Sequence, residues 1–346
     1  MTIVIVGGGA IGLLLLSRLA QASNGQPVAL LTRPNGAAAL QATPLQVSGI
    51  GACSLTGLTV AGAVADLPAA FQQPALAILC VKGYDTNGAI ATLRDLNPGS
   101  ILTLQNGLGN EEALAQAFGA DRIIAGAITT SVDATGPTTI TVTKAGGIGL
   151  APVGGTSNLT LAETALSNAG FTVQRYHDYR AMKWSKALLN MLGNATAAIL
   201  DWSVAQVYAD RRLVALERTA VREALAVMQR MGIRPVNLPR YPAALLAFGI
   251  RWLPPIILDP ILRQRVAGGR GGKDPSLLRD LRAGRSRSEG EFLYGAVAAA
   301  ATAHGLQTPV NAGLWQVLGG IVRGDLRWDD YRGQPERLLA ACGMAK

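Results

Sequence analysis

Lys186, Asn190 and Asn194 recur at intervals of four residues, which places one amine and two amides along a single helical stripe. The residues around them are mostly apolar and predict one helix over 182–200. Polar groups in such surroundings need hydrogen-bond partners or a ligand. The stripe therefore indicates either a substrate site or the polar edge of a half-exposed helix.

A glycine-rich turn follows the first apolar run, at 2–6, and opens an apolar helix; its residues are Gly7, Gly8, Gly9, Ala10, Ile11 and Gly12. In this strand–turn–helix context the spacing predicts a dinucleotide site. Gly7 would permit the turn, Gly9 would let the backbone approach a pyrophosphate, and Gly12 would let helix and strand pack closely. The helix N-terminus offers N–H groups to the phosphates. A glycine-rich strand end without a ligand is the alternative. A dinucleotide site favours a substrate cleft between two domains as the interpretation of the lysine–asparagine stripe.

The choice of cofactor depends on which charges follow the glycines. An NAD site usually has an acidic residue about 20 positions further on, but here none occurs before Asp66. The second apolar run ends instead in Thr32-Arg33, and Lys82 follows the third run. These cations suit a 2′-phosphate, so we predict NADPH. A solvated loop cation is the alternative interpretation of Arg33.

Short apolar runs alternate with helical patterns in the first half of the chain. Runs at 2–6, 28–31, 76–81 and 101–104 predict buried parallel strands, and segments at 11–22, 86–96 and 111–118 predict helices. Such alternation predicts a Rossmann-type, doubly wound α/β domain, which we place at 1–176. A helix at 159–169 and a strand at 171–175 complete it.

The second half is predicted to be an all-α domain over 177–346. After 182–200, helical patterns cover 211–231, 288–304 and 311–323. Asp201 and Asp210 are expected N-caps, and Gly232 is an expected helix stop. The segment 234–275, rich in Pro, Gly and Arg, has no predicted structure.

Composition excludes several classes of protein. The 346 residues carry a net charge of +9, but the basic residues are scattered and aromatic residues are only 5%. Binding of an anionic small molecule would account for the positive net charge, so no nucleic-acid partner is expected. The longest apolar stretch, 243–258, contains Arg251 and two prolines, so no membrane span is expected. Three widely spaced cysteines indicate neither a disulfide framework nor a metal site. We therefore expect a cytoplasmic protein.

The chain resembles the ketopantoate reductase (2-dehydropantoate 2-reductase) family. The matching pieces occur in family order and cover nearly the whole chain. They are the glycine run 7–12, Val81-Lys82, the Gln-Asn-Gly-Leu-Gly run 105–109, the Lys–Asn–Asn stripe, and the Ser-Glu-Gly-Glu-Phe run 288–292.

The resemblance implies a role for each matching residue. Lys186 would be the proton donor, Asn190 and Asn194 would bind substrate, and Asn106 would lie between nicotinamide and substrate. Glu289 matches the acidic residue at the cofactor and substrate end of the cleft. Ser276 matches a serine that binds the substrate carboxylate, and backbone near Val132 would contact the cofactor. Family members reduce ketopantoate with NADPH, on the route to pantothenate.

The chain also departs from the family pattern. One extra residue lies between Asp280 and Glu289, and Tyr294 stands where asparagine is common. We expect Ser286 and Arg287 to bulge outward, so that Glu289 lies at the start of the helix 288–304. Another NADPH-linked reductase of the same architecture, such as a β-hydroxyacid dehydrogenase, is one alternative function, and a non-catalytic NADPH-binding protein is another. The sequence does not identify which keto acid is the substrate, and it does not decide whether the protein forms a homodimer.

Overall fold

A computed structural model describes residues 1–22, 25–155, 158–268 and 274–344. The chain divides into two compact units. The N-terminal unit comprises Met1–Lys183 with Leu238–Tyr241, and the C-terminal unit comprises Trp184–Asn237 with Pro242–Lys346.

The N-terminal unit contains two sheets. In chain order the strands are β1 (Ile3–Val6), β2 (Val28–Leu31), β3 (Leu45–Gly49), β4 (Cys53–Leu55), β5 (Thr59–Ala61), β6 (Leu76–Leu79), β7 (Ser100–Thr103), β8 (Ile123–Ile128), β9 (Ser131–Gly136), β10 (Thr139–Lys144), β11 (Ile148–Pro152) and β12 (Val173–Arg175). The helices that begin in this unit are α1 (Ala10–Ala20), α2 (Pro34–Ala42), α3 (Thr86–Leu96), α4 (Asn110–Phe118), α5 (Leu159–Asn168) and α6 (Tyr179–Met191), which continues into the C-terminal unit.

The main sheet has eight strands in the order β12-β11-β8-β7-β6-β1-β2-β5. Strand β1 lies parallel to both β2 and β6, with Ile3 opposite Val28 and Leu76. The chain adds β2 and β5 on one side of β1 and then returns to add β6 on the other. Ligands of open α/β sheets bind at such a reversal, beyond the carboxyl ends of the strands.

Both faces of this sheet are covered, which explains its continuous apolar strands. Ile3 and Ile5 face one core cluster with α1 and α5, whereas Val4 and Val6 face a second cluster with α3 and α4. Side chains alternate between faces along a strand, so β1 supplies both cores. The predicted doubly wound α/β region followed by a helical region is confirmed.

A smaller sheet was not predicted. Its strands are ordered β4-β3-β10-β9, and β10 lies parallel to β3 although the two are about ninety residues apart. Strands β4 and β9 have exposed positions and no apolar run, so they gave little signal, whereas β10 alternates buried Ile140 and Val142 with threonines, a strand pattern that was missed.

The C-terminal unit is built from helices. They are the end of α6, then α7 (Ala195–Leu200), α8 (Val204–Ala209), α9 (Arg211–Arg230), α10 (Ala243–Trp252), α11 (Pro255–Leu262), α12 (Ser276–Arg282), α13 (Ala296–Ala303), α14 (Pro309–Arg323) and α15 (Pro335–Ala341). Single π-helical segments cover Arg263–Ala267 and Glu291–Gly295. No helix in the described part of the chain is both long and apolar enough to cross a membrane.

Three local predictions for this unit need correction. The single helix predicted over 182–200 is interrupted, because Gly193 adopts a left-handed φ of 62° between α6 and α7. Asp201 does not begin a helix; it ends α7 with a φ of 53°, and Ser203 is the N-cap of α8. The helix predicted over 288–304 becomes regular α-helix only at α13. Asp210 is confirmed as the N-cap of α9, where its carboxylate accepts a hydrogen bond from the Arg212 N–H.

Candidate functional site

The turn after β1 has the geometry that the glycine spacing predicts. Gly7 has a φ of +113°, and a Cβ there would lie 2.9 Å from the backbone nitrogen of Val81. A Cβ on Gly12 would lie only 1.8 Å from the carbonyl oxygen of Gly7, so strand and helix approach as closely as glycine allows. A Cβ on Gly9, the N-cap of α1, would meet nothing within 4 Å. The turn therefore has no room for a side chain at Gly7 and Gly12, where it packs, and has free space at Gly9, where a phosphate would approach.

Two predicted cation positions border this turn. Arg33 follows β2 at the N-cap position of α2, and Lys82 follows β6 at the start of a short turn, Gly83–Asp85. Because β2 and β6 flank β1 in parallel, both residues lie at the carboxyl edge of the sheet. The Arg33 side chain is 79% exposed, and its Nη2 atom lies 3.6 Å from Oδ2 of Asp85.

Sequence reasoning missed the acidic residue Asp85 as a neighbour of Arg33. Asp85 follows β6, whereas an acidic residue was sought after β2. A pair so exposed is worth between zero and about 1 kcal/mol, so it holds the guanidinium only weakly. Arg33 can therefore exchange this carboxylate for a ligand phosphate.

The Gln-Asn-Gly-Leu-Gly run forms the loop between β7 and α4. Gly107 and Gly109 have φ values of 88° and 94°, which explains the two glycines. The Gln105 side chain is buried; its Nε2 donates to Oγ1 of Thr86 at 2.9 Å, and Thr103 donates to its Oε1 at 3.0 Å. Asn110 donates to the carbonyl of Asn106 at 3.1 Å. The loop is thus fixed from inside, and Asn106 is half-buried within it.

A buried ion pair lies under this loop, and sequence reasoning missed both partners. Lys183 and Glu111 have side chains only 3% and 1% exposed, with Nζ 2.8 Å from Oε1. Lys183 also donates to the carbonyl of Gln105 at 2.6 Å and to that of Gly126 at 3.3 Å. Two of its N–H groups therefore meet carbonyl oxygens, and the contact with Oε1 of Glu111 is a close ion pair without hydrogen-bond geometry. Burial raises the pKa of the Glu111 carboxyl, and the charge of Lys183 opposes that shift. The sequence did contain a signal for the buried lysine, since Lys183 stands between Met182 and Trp184 in an apolar stretch.

Val132, predicted to contact the cofactor through its backbone, lies in β9 of the smaller sheet. It pairs with Val142 of β10 and packs partly buried against the core cluster that includes β1 and α1. Its side chain is thus part of the packing between the two sheets of the N-terminal unit.

In the C-terminal unit, Lys186 and Asn190 are half-buried and lie one turn apart on α6. Asn194 does not continue their stripe, because the helix ends before it. Its buried side chain donates to the carbonyl of Asn190 at 3.0 Å and accepts from the backbone N–H of Leu277 at 3.3 Å. This second bond brings Asn194 next to Ser276, the first residue of α12. The structure therefore brings two predicted substrate-binding residues together.

The junction between α6 and α7 is held by Glu217, which the sequence did not single out, and by Tyr294, which was noted only as a departure from the family pattern. The buried carboxylate of Glu217 accepts from the N–H of Gly193 at 2.6 Å and from the Thr196 hydroxyl. The Tyr294 hydroxyl accepts from the N–H of Ala195 at 3.1 Å and donates to the carbonyl of Met191. Tyr294 thus stabilises the break between α6 and α7.

Glu289 is 7% exposed and lies in the turn just before the π-helical segment, rather than inside a regular helix. Ser286 and Arg287 form an exposed bend, whereas 288–290 are buried, which is the pattern expected if the extra residue bulges outward. The Ser288 hydroxyl accepts from the N–H of Gly290 at 3.1 Å and caps this turn. Glu291 is exposed.

Comparison with known proteins agrees with this arrangement. Residues 3–155 match the family model described as Ketopantoate reductase PanE/ApbA, and residues 178–322 match its C-terminal model. These two matches place the chain among the oxidoreductases. It belongs to the ketopantoate reductase PanE/ApbA family.

Several relatives are similar over most of their length. The 2-dehydropantoate 2-reductase of Pyrococcus horikoshii is 28% identical over 322 residues, which is 92% of this chain and 96% of that protein. The crystal structure of a 2-dehydropantoate 2-reductase from Geobacter metallireducens superposes with a TM-score of 0.76 at 25% identity, covering 92% and 99% of the two chains. A ternary structure of D-mandelate dehydrogenase with NADH and anilino(oxo)acetate shares the fold, with a TM-score of 0.78 at 19% identity over 94% and 99%.

Proposed function

We propose that the protein reduces a small 2-keto acid with NADPH, and that the substrate is 2-dehydropantoate, giving pantoate for pantothenate biosynthesis. The observation that carries the proposal is a lysine and an asparagine, half-buried one turn apart on α6, in a family of ketopantoate reductases. The glycine turn and two cations at the edge of the main sheet support the nucleotide half of the reaction.

The residues of the N-terminal unit fit a dinucleotide phosphate. The open space beside Gly9 admits a pyrophosphate to the N–H groups of α1. Gly7, Gly8, Ala10, Ile11 and Gly12 complete that turn. Arg33 and Lys82 would bind the 2′-phosphate, and Asn106 with the backbone near Val132 would contact the nicotinamide side. When bound, NADPH supplies the hydride.

The proposed roles in the C-terminal unit follow from donor and acceptor chemistry. Reduction of a ketone develops alkoxide charge, which Lys186 would stabilise and then protonate from its Nζ. Asn190 and Asn194 would orient the keto acid as neutral hydrogen-bond donors, and Ser276 would bind its carboxylate. Glu289, which we propose as a second catalytic residue, would accept a hydrogen bond from a hydroxyl of substrate or cofactor.

The test is a screen of NADPH oxidation over small 2-keto acids, with ketopantoate first. We expect the highest kcat/KM with ketopantoate. A higher value with an aromatic or straight-chain keto acid would contradict the pathway assignment while keeping the reaction class. Bound NADPH without turnover of any keto acid or 3-hydroxy acid would instead favour the non-catalytic alternative.

A different keto-acid substrate is the second candidate function. The segment 234–275, which contains α10 and α11 and leads into Ser276, is long and rich in Pro and Arg. Since Ser276 is the proposed carboxylate contact, a change in the segment before it bears directly on the substrate. The same screen separates the two candidates.

Replacing Arg33 by alanine should weaken NADPH binding about tenfold or more and leave NADH binding nearly unchanged. The change removes one charge-assisted hydrogen bond to the 2′-phosphate, worth about 1.5–3 kcal/mol. In the unmodified protein NADPH should bind more tightly than NADH, and the gap should narrow with added salt because exposed charges are screened. Titration of both cofactors, followed by nucleotide fluorescence, measures each affinity.

Arg94→Ala is the matched control for this experiment. Arg94 is also an exposed arginine of the N-terminal unit, but it lies in the last turn of α3, at the opposite edge of the sheet. Its loss should leave the preference for NADPH intact. Equal affinities of the unmodified protein for NADPH and NADH would show that Arg33 does not read the 2′-phosphate.

Replacing Glu289 by glutamine should lower kcat/KM about 10- to 150-fold, which corresponds to one charge-assisted hydrogen bond in the transition state. Glutamine keeps the shape, so the buried turn should persist. Glu291→Gln is the control, since Glu291 is exposed two residues further on. Steady-state kinetics of both variants decide the assignment: a large loss in Glu291→Gln with none in Glu289→Gln would place the functional carboxylate two positions later.

A further inference from the structure

Asp201 ends α7 with a carboxylate that its local backbone does not favour. It is one of three residues other than glycine with a left-handed φ in the described part of the chain, a conformation that glycine and asparagine usually supply at helix ends. A carboxylate is also disfavoured beside the carbonyl end of a helix. The contacts of this side chain, rather than the turn, therefore explain an acidic residue here.

Two arginines bind the carboxylate. Arg282, the last residue of α12, donates from Nε to Oδ1 of Asp201 at 2.8 Å, and its Nη2 lies 2.7 Å from the same oxygen. Arg332 donates from Nε and Nη2 to Oδ2 at 3.0 and 2.7 Å. Burial would raise the pKa of the Asp201 carboxyl, but these hydrogen bonds bring it below its ordinary value. The carboxylate is therefore ionised and shared between two guanidinium groups.

Arg282 extends this contact to the start of its own helix. Its Nη1 donates to Oδ2 of Asp274 at 2.6 Å. Asp274 lies two residues before Ser276, the first residue of α12. One guanidinium thus connects the end of α7 with the point at which the chain enters α12.

The helices α7 and α12 lie side by side and are joined at both ends. At the start of each helix, Oδ1 of Asn194 accepts from the N–H of Leu277. At the other end, Asp201 binds Arg282. A single hydrogen bond would leave α12 able to turn about it, and the second attachment prevents that rotation.

The segment that carries Arg332 has further attachments to α7. The indole of Trp328 donates to the carbonyls of Ala198 and Ile199 at 3.1 and 3.0 Å. The Arg332 guanidinium lies 4.6 Å from the centre of that ring and also donates to Asp329. Loss of the Asp201 charge should therefore affect α12 more than the segment 328–332.

We propose that Asp201 is a positioning residue for the substrate: through Arg282 it fixes α12, so that Ser276 is held beside Asn194. The inference rests on the proposed function, in which those two residues bind the keto acid. A displacement of about 1 Å at a group that positions substrate can cost about 10²-fold in rate. Asp201 thereby determines how tightly the carboxylate of the keto acid is bound, without touching it.

Steady-state reduction of ketopantoate by Asp201→Asn tests the proposal. Asparagine keeps the left-handed turn and removes the charge, so the KM for the keto acid should rise at least about tenfold. The kcat should change little, and so should the Kd of NADPH, since the glycine turn belongs to the N-terminal unit. Asp329→Asn is the matched control: it removes a carboxylate that binds Arg332 but not Arg282, and it should leave the KM unchanged.

Arg282→Gln gives a second, independent variant. It removes the guanidinium that Asp201 and Asp274 share, so it should raise the KM about as much as Asp201→Asn does. The double variant should be no worse than either single variant, because both break the same connection. Hydrogen exchange of the Leu277 amide should be faster in both single variants and unchanged in Asp329→Asn.

The outcomes separate this inference from the reaction on which it rests. Asp201→Asn with an unchanged KM, or with a KM no higher than that of Asp329→Asn, would overturn the positioning role and leave the reaction in place. A parallel loss of kcat and of NADPH binding would overturn it in favour of a general structural role. An unmodified protein that reduces no keto acid would overturn the proposed function, and the positioning role with it.

Discussion

Replacing Lys186 by alanine should lower kcat by about 10²–10⁴-fold or more, the usual contribution of a general acid, and should change NADPH affinity little. The side chain is half-buried on α6 in the C-terminal unit, whereas the glycine turn and both predicted phosphate-binding cations belong to the N-terminal unit. Removing the amine would delete the proposed proton donor and the cation proposed to stabilise the developing alkoxide. Stopped-flow reduction of ketopantoate and equilibrium titration of NADPH measure the two effects separately.

Two further variants identify what the amine does. Lys186→Arg keeps the positive charge, but a guanidinium does not release its proton near neutral pH, so turnover should remain low. Arg180→Ala removes an exposed positive charge from the same helix and should retain normal kcat. Near-normal kcat in Lys186→Ala would show that another group delivers the proton.

The regular part of the fold could be read from local patterns in the sequence. The strand β2 and the helix α3 have the predicted bounds, because continuous apolar runs and helical periodicity are both local signals. The break after α6 has only one weak local signal, the glycine at 193 within an otherwise apolar run. Apolar residues continue on both sides of Gly193, and the turn is stabilised by Glu217, 24 residues further along the chain.

In the candidate site, too, short motifs could be predicted from the sequence, whereas contacts between residues far apart in the chain could not. The glycine turn and the four-residue spacing of Lys186 and Asn190 were visible because each is a short motif. That Asn194 bonds to Leu277, and that Arg33 lies beside Asp85, depends on residues 83 and 52 positions apart. The fold brings them together, and no motif in the sequence records that contact.

The Lys183–Glu111 pair is the most consequential feature that the sequence did not reveal, and its removal should have the largest effect on stability. Lys183→Met should lower the free energy of unfolding by about 3–5 kcal/mol, because it leaves the Glu111 carboxylate buried without a counter-charge. That is a large share of the total of about 5–15 kcal/mol that is typical of a folded domain. Urea denaturation followed by circular dichroism measures the loss.

Lys144→Met is the control for this stability experiment. Lys144 is an exposed lysine of the same unit, whose ammonium lies over the ring of Tyr241, and its replacement should cost less than about 1 kcal/mol. A comparable loss in both variants would show that burial of the Lys183 charge is not what matters.

The double variant Lys183→Met/Glu111→Leu separates charge from position. Replacing both members of a buried ion pair by apolar residues of similar volume is often neutral, so most of the lost stability should return. The carbonyl of Gln105 would still lack its donor at 2.6 Å, and the loop that carries Asn106 would lose that restraint. We therefore expect a stable protein with a raised KM for NADPH and a lower kcat, since a displaced loop misplaces the reacting groups. A double variant that recovers both stability and normal kinetics would show that Lys183 neutralises Glu111 and does not position the loop.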